Sequence, residues 1–496
     1  MEISFGRRLT MLAEAAPGET AIVFADRDGT QREVTWGEFE RRANQVARLL
    51  AARGAEHGDT VVVGLPNSPD LLFVMFASWK LGATVLPLRH DMPAWERDRI
   101  LELVDPGAVV GDWQDATVGT VTTPDLASSS SLSAAALPDR IPKASRLIAS
   151  SGSTGRPKVI VSPSPAVMQS EPVTLLAGDA SPDMTYLAAS PLYHTNGFAS
   201  SVLPLLAGDR VVLMAAFDAA HAVDLIEQHR VNFTIMVPTM LMRIARLADV
   251  GQRDFSSLDR VLCGGAAVPD WVVRAWLDLV SPERFWFSYG SSEAVGLCIT
   301  TGDQWLARPG TSGQPMNCDL MILDENHEEL PVGQVGEIFL RSHQHPDVRD
   351  AFTYLGMPMP EVTVDGFVSI GDMGYVDADG FLYIVDRRQD MIVTGGANVF
   401  PAEVEAALTE HPEVADAVVV GLVDPEWGQR VHAIIEAVDP AHVPTDDELR
   451  RHCKERLSSY KAPKTFEVID AMPRTSAGKV NRSALAAERA TGSPAT

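Results

Sequence analysis

Ten residues, Ala149-Ser150-Ser151-Gly152-Ser153-Thr154-Gly155-Arg156-Pro157-Lys158, carry two glycines, four hydroxyls and two cations directly after the apolar pair Leu147-Ile148. A strand entering such a loop presents backbone N–H groups, hydroxyl donors and positive charge together, which suits phosphate oxygens. The Walker pattern is excluded, since it needs lysine immediately after Gly155; an ordinary flexible Ser/Gly loop is the competing reading. Tyr289-Gly290-Ser291-Ser292-Glu293 sets a carboxylate behind an aromatic ring and two hydroxyls. That carboxylate suits Mg²⁺ once phosphates supply the other oxygens, and the alternative is a helix N-terminus with its acidic first turn. Gly264-Gly265-Ala266-Ala267 follows Val261-Leu262, so small residues end a strand where a flat ring approaches the backbone, or simply make a tight turn. Asp372, just past the strand-like Phe367-Val368-Ser369-Ile370, is an acceptor able to take both hydroxyls of a ribose. Its bland alternative, and that of Arg387, is a surface ion pair. Lys479, between Gly478 and Val480, offers an ammonium that neutralises charge developing on a phosphate, although most lysines near a C-terminus are solvated bystanders.

These groups must be positioned by elements that alternate strand and helix. Thr35 reads as the N-cap of a helix whose face is Phe39, Ala43, Val46 and Leu49/Leu50; Thr60 to Leu65 and Thr84 to Leu88 read as strands around a helix from Asp70 to Leu81. Repeated β-α-β order predicts an α/β chain with mostly parallel sheets in a large N-terminal domain of several subdomains. Ala127 to Ala136 is low in complexity and predicted to be a surface loop. Beyond Asp365 the rhythm changes to hairpin signals such as Asp377-Ala378-Asp379-Gly380. A strand at Ala417 to Leu422 and helices at Ala402 to Glu410 and Asp446 to Leu457 then suggest a small α+β domain of roughly a hundred residues. The predicted joint, Asp386 to Gln389, divides the chain into residues 1–387 and 388–496.

The 496 residues, 46% hydrophobic, exceed one ordinary core and exclude a peptide, a fibre or a disordered tail. With 41 Lys and Arg against 66 Asp and Glu, the net charge of −25 argues against nucleic acid and anionic membranes as partners. Anionic ligands must therefore be met by local cations, of which Arg156, Lys158, Lys461, Lys464, Arg474 and Lys479 are candidates. Cys263, Cys298, Cys318 and Cys453 lack metal or redox spacing, which points to a reducing, cytoplasmic location without a structural metal. No signal peptide is legible, and the apolar windows are broken before about 20 residues, so no membrane insertion is expected.

The order Ser-Ser-Gly-Ser-Thr-Gly-Arg-Pro-Lys over residues 150–158 resembles the signature loop of the adenylate-forming superfamily, which includes acyl-CoA synthetases, peptide-synthetase adenylation domains and beetle luciferases. Pro191-Leu192-Tyr193-His194, Gly264 to Ala267, Tyr289 to Glu293, Gly371-Asp372, Asp386-Arg387 and Pro473 to Lys479 follow in the family order. Together they span roughly residues 15–485, and six ordered matches make coincidence negligible. The resemblance implies MgATP, a small-molecule carboxylic acid and coenzyme A as ligands, with AMP as a product. It implies that Ser150, Ser151, Gly152, Ser153, Thr154, Gly155 and Lys158 hold phosphates, that Thr154 and Glu293 hold Mg²⁺, and that Tyr289 packs on adenine. It further implies nucleotide contacts from Gly264, Gly265, Ala266, Gly290, Ser291 and Ser292, ribose contacts from Asp372 and Arg387, and catalysis by Lys479, Glu293, Lys158 and Thr154. In such enzymes a mobile C-terminal domain withdraws the Lys479-type residue after adenylation and brings in the loop of Gly395 and Gly396 for the thiol, pivoting at the position of Gln389.

Val159 and the segment Ile160 to Pro165 are closest in pattern to the branch acting on bulky polycyclic acids such as bile acids. Gln389 stands where Asp or Lys is usual in the family. No carboxylate lies in Pro191 to Phe198 to pair with an amino acid's ammonium, so a simple carboxylic acid fits better. His194, Met236, Pro238, Thr239, Gly265 and Gly290 are candidates for the acyl pocket, with a structural role open for His194 and a core role for the methionine stretch. Lys461 and Lys464 are candidates for CoA phosphates, or else a solvated basic face. The expected function is an ATP-dependent acyl-CoA ligase for a bulky acid. Alternatives are a protein that thioesterifies a preformed adenylate, one that loads a carrier protein's phosphopantetheine, and a non-catalytic nucleotide-binding module; monomer and homodimer stay open.

Overall fold

A computed structural model describes residues 2–113, 120–151, 157–169, 184–363, 365–475 and 478–490. Among the described residues, the largest sheet has nine strands. Its centre is parallel, running Phe285–Gly290, Arg260–Gly264, Phe233–Met236, Thr185–Ala188, Arg210–Met214 and Thr20–Ala25, with antiparallel strands at both edges. Strand Thr60–Gly64 pairs in parallel with Thr84–Pro87 and Ala108–Gly111, and a bridge from Val85 to Arg146 joins this sheet to strand Leu147–Ser151.

The helix Pro69–Leu81 shows why the core lies where it does. Ser68 caps it through the Leu71 N–H, Gly82 stops it in the left-handed conformation, and every residue from Leu71 to Leu81 is buried. A helix apolar on all sides belongs in a core rather than at a surface. Its one buried cation, Lys80, lies 2.8 Å from Glu40. Helix Trp36–Ala52 starts on Thr35 as expected, with the hydroxyl accepting from the Glu38 N–H.

Two expectations change. The stretch from Ala127 is not simply a loop: Thr122 and Asp125 form a capping box for helix Thr123–Ser128, and a 3-10 turn Ser129–Ser131 follows. Gln45 Nε2 then donates to the Ser130 and Leu132 carbonyls at 2.8 and 3.1 Å, holding the segment against helix Trp36–Ala52. The expected strand-to-loop turn after Ile148 is a hairpin, because Pro157–Val161 returns antiparallel to Leu147–Ser151. Its tip, Gly152 to Arg156, lies outside the described residues.

In the remaining sheets pairing is mostly antiparallel, the exception being Gly428–Ala437 with Thr465–Ile469, which run parallel. Cys318–Leu323, Gly336–Ser342, Asp372–Val376 and Leu382–Arg387 form an antiparallel sheet that includes the expected hairpin around Asp377 to Gly380. The chain then enters a different sheet at Ile392, built from Ile392–Thr394, Ala397–Val399, Val414–Asp424, Gly428–Ala437 and Thr465–Ile469. Helices Pro401–Thr409 and Asp446–Arg456 cover it around a separate core containing Val404, Leu408, Val419, Val431 and Leu449. The molecule is thus an α/β protein with a large N-terminal and a small C-terminal domain.

Candidate active site

Residues 291 to 296 form a tight turn between strands Phe285–Gly290 and Leu297–Thr301, and no helix starts there. Ala294 adopts φ 56°, in the left-handed region, and the turn buries Glu293. Its Oε1 accepts from Lys158 Nζ at 3.1 Å and from the Tyr354 hydroxyl at 2.7 Å. The same ammonium sits 4.0 Å from the centre of the Tyr354 ring. Lys158 is on the returning strand of the hairpin, and Tyr354 reaches it from strand Thr353–Leu355, whose register sets Tyr354 opposite Ile160. Burial pushes the Glu293 carboxyl up, but Lys158 and the two hydrogen bonds outweigh it and hold it below the ordinary value.

A second carboxylate is fixed on the adjoining sheet. The Tyr289 hydroxyl donates to Asp372 Oδ2 at 2.9 Å, and Arg387 Nε lies 3.3 Å from Asp372 Oδ1. Asp372 and Arg387 face each other directly across two antiparallel strands. Burial raises the Asp372 pKa, with Arg387 and the Tyr289 hydroxyl opposing; desolvation beside Asp372 also drives the Tyr289 phenol well up. Gly264 ends its strand, and a side chain there would meet Ser288 Oγ at 2.7 Å, while Gly265 turns with φ 96° and Ala266 is exposed. Gly264 is held small by the Ser288 side chain, and Gly265 by its left-handed backbone. Ser292 Oγ lies 3.1 Å from Thr195 Oγ1, and Ser291 Oγ is buried without a partner.

Lys479 enters from the small domain. Its carbonyl accepts the Thr475 N–H at 2.7 Å, the Gly478 N–H donates to Thr475 O at 2.8 Å, and Arg474 Nη1 donates to Gly478 O at 3.0 Å. Gly478, at φ 74°, leaves only 2.7 Å between a would-be Cβ and Thr239 Oγ1 on the large domain. The Lys479 side chain remains accessible within the cleft, yet surrounding protein lowers its pKa, with Arg387 and Lys158 reinforcing the shift and Glu293 opposing it. Two carboxylates and three cations thus share one electrostatic environment.

A cavity of about 270 Å³ opens beside this loop, lined by Pro66, His90, Tyr193, Thr239, Met240 and Gly478 among others. Of the candidate acyl-pocket residues, Thr239 lines it, whereas Met236 and Pro238 are buried, Met236 in the core behind strand Phe233–Met236. His194 begins helix Thr195–Ala207 and packs on Tyr193, with 4.3 Å between ring centres. Burial first, then Lys479, Arg89 and Arg146, push its pKa down to about 3, so it is neutral at physiological pH.

Gly395 and Gly396 form the tip of hairpin Ile392–Thr394/Ala397–Val399 at φ 58° and 81°. The Gly395 N–H donates to Trp427 O at 2.9 Å, and a side chain at Gly395 would strike the Trp427 ring at 2.6 Å. Lys464 Nζ lies 3.7 Å from the centre of the same ring, but Lys461 is paired with Glu403 at 2.6 Å. Gln389 is exposed in the turn between Arg387 and Ile392. Arg474, counted above among cations for anionic ligands, instead pairs with Asp416 at 2.6 Å. Thr154 and the loop residues Gly152, Ser153 and Gly155 lie outside the described residues, and for Ser151 only the backbone is described. Sequence reasoning missed Tyr354, Thr195 and Asp416: Tyr354 arrives through strand pairing, Thr195 from the first turn of helix Thr195–Ala207, and Asp416 from a strand of the small domain met by Arg474, with no local motif to announce any of them.

The Glu293–Lys158 and Asp372–Arg387 pairs and Lys479 of the small domain face one another in a single cleft. Residues 9–345 match the family model described as AMP-binding enzyme, and residues 403–479 match its C-terminal domain. A feruloyl-CoA synthase from Amycolatopsis sp is 33% identical over 471 residues, covering 90% of this chain and 92% of the relative. An indoleacetate–CoA ligase from Aromatoleum aromaticum is 29% identical, covering 94% of each. The o-succinylbenzoate CoA synthetase of Bacillus subtilis, solved with its acyl-adenylate intermediate, superposes with a TM-score of 0.81 at 26% identity over 98% of both chains. The same enzyme has been solved with ATP and a magnesium ion, and that structure gives a TM-score of 0.80 at 26% identity, covering 97% of this chain and 99% of the other. The chain belongs to the AMP-binding enzyme family, in the acyl-CoA synthetase branch of the adenylate-forming superfamily. It is by class an AMP-forming acid–thiol ligase, using ATP, Mg²⁺ and coenzyme A. No helix among the described residues is long and apolar enough to cross a membrane.

Proposed function

We propose that this enzyme converts a bulky, ring-bearing carboxylic acid to its acyl adenylate and then to the CoA thioester. The observation that carries the reading is the meeting of Lys479 with the Glu293–Lys158 and Asp372–Arg387 pairs in one cleft. Asp372 and Arg387 would fix the ribose, and Tyr289, braced by Asp372, would offer its ring to adenine over the Gly264–Ala266 turn. Lys158 and the hairpin tip with Thr154 would hold phosphates. Glu293 fits Mg²⁺, because its neighbours keep it anionic in a turn beside the unpartnered Ser291 hydroxyl. When bound, that ion supplies charge neutralisation on the phosphate oxygens.

In the first step the acid's carboxylate attacks the α-phosphorus in line, the acyl–O–P bond forms and pyrophosphate leaves. Lys479 faces the charge that builds on the α-phosphate, and its fixed position supplies rate without a covalent enzyme nucleophile. In the second step a thiol attacks the acyl carbonyl and AMP leaves. For this we assign residues 388–496 as a unit turning about Gln389, with Gly395 and Gly396 admitting the pantetheine arm and Lys464, beside Trp427, meeting the nucleotide end of CoA; Lys461 would have to exchange Glu403 for phosphate. The absence of a carboxylate in Pro191 to Phe198 favours an acid without an α-ammonium. Relatives named for feruloyl and indoleacetate substrates favour a ring-bearing acid. A panel of aromatic, polycyclic and fatty acids, scored by acid-dependent pyrophosphate release without CoA and by thioester mass with it, tests the reading. Turnover of supplied adenylate without pyrophosphate release would leave only a thioesterifying protein, and best turnover of linear fatty acids would overturn the ring-bearing substrate.

A further inference from the structure

Arg246 caps helix Pro238–Ala245 on the large domain and reaches across to the small one. Its Nη2 donates to Thr409 O at 3.0 Å and to Val414 O at 2.8 Å, and Nη1 donates to Ala415 O. Thr409 ends helix Pro401–Thr409, so its carbonyl belongs to the negative end of that helix, while Val414 and Ala415 open strand Val414–Asp424. The guanidinium also lies over the Trp271 ring, 4.9 Å from its centre. Burial lowers the Arg246 pKa, with Asp416 opposing, so these bonds form where water competes poorly.

The next two residues of the same strand hold the catalytic loop. Arg474 grips the Asp416 carboxylate at 2.6 and 2.9 Å and the Ala417 carbonyl at 3.3 Å, and its remaining arm holds Gly478 O, one residue before Lys479. Four consecutive residues, Val414 to Ala417, thus receive Arg246 from the large domain on one side and the Lys479 loop on the other. We infer that Arg246 is a positioning residue that docks the small domain in its adenylating orientation and so sets the balance between the two half-reactions. The inference rests on the two-step reading above, because a turn about Gln389 must break all three carbonyl bonds.

The test compares wild type, Arg246→Ala and Arg246→Lys in three measurements. These are acid-dependent ATP–pyrophosphate exchange, thioester formation from supplied acyl adenylate, and the spin-label distance distribution between one exposed site on each domain. Arg246→Ala should lower the kcat of exchange about tenfold with little change in KM for ATP, while thioester formation is unchanged or faster. The distance distribution should broaden, and Arg246→Lys should recover part of both effects, since one ammonium cannot span three carbonyls. Equal loss in both half-reactions, or a distance distribution identical to wild type, would overturn the assignment. Absence of exchange in wild type would sink the full-ligase reading instead, with the distance measurement still deciding the role of Arg246.

Discussion

The charges on the two sides of the cleft are held by different means. On the large domain Glu293 and Asp372 each accept two bonds from side chains on other strands, so sheet register fixes them before any ligand arrives. On the small domain Lys479 is placed by one turn and by Arg474, and the whole unit is in turn fastened by Arg246. Preorganised charge suits groups that hold one ligand throughout, whereas a group needed for only one step is better carried on a part that docks and releases. The contrast predicts that damage to either side separates the half-reactions differently.

Lys479→Ala breaks the comparison most directly. Acid-dependent pyrophosphate release should fall on the order of a hundredfold or more, while thioester formation from supplied adenylate survives; loss of both in equal measure, read by the two half-assays, would remove Lys479 from its single-step role. Glu293→Gln comes next. It strips the counter-charge from Lys158 and removes the anionic ligand, so adenylation should drop about tenfold to a hundredfold and need more Mg²⁺ for half-maximal rate. An unchanged Mg²⁺ titration would exclude Glu293 from the metal.

Legibility followed the same division. Tyr289 to Glu293, Asp372 and Lys479 stand out in the sequence because each sits in a motif whose residue types suit one chemistry, and the order of those motifs points to the family that the comparisons show. Helices with local signals, such as Thr35 or Ser68 caps with a glycine stop at Gly82, fell where expected. Tyr354 was not readable, because a lone tyrosine in a short strand acquires its partner only through the register with residues 159–161. Arg474 and Lys461 looked like free cations, since nothing local tells a lysine or arginine that Asp416 or Glu403 will meet it. The Ser-rich run after Ala127 hid a helix end because its capping box, Thr122 with Asp125, precedes the low-complexity part.

Gly395→Val tests the small domain without touching Lys479. The added side chain must occupy the space of the Trp427 ring at a φ of 58°, which costs roughly 1–2 kcal/mol even before the clash. The KM for CoA should rise on the order of 5- to 30-fold if the full strain falls on CoA binding, with pyrophosphate release little changed. A shift confined to pyrophosphate release would mean that the hairpin serves adenylation.

The last effect is on stability rather than rate, at the proposed joint. Asp386 is buried, accepting the Arg387 N–H at 2.7 Å and the Ala402 N–H at 2.9 Å. Burial raises its pKa from 3.8 to about 6, with the Ala402 N–H opposing. The folded state therefore holds this proton more tightly than the unfolded chain. The resulting stabilisation is fully present below 3.8 and is lost as pH rises through about 6. Asp386→Asn cannot titrate, so the stability of wild type relative to the variant should decline between pH 4 and 7, by at most about 3 kcal/mol. Chemical denaturation of both proteins across that window reads the difference. A constant gap would show that Asp386 stays ionised on its two N–H donors, held, like Glu293 of the large domain, by interactions strong enough to outweigh burial.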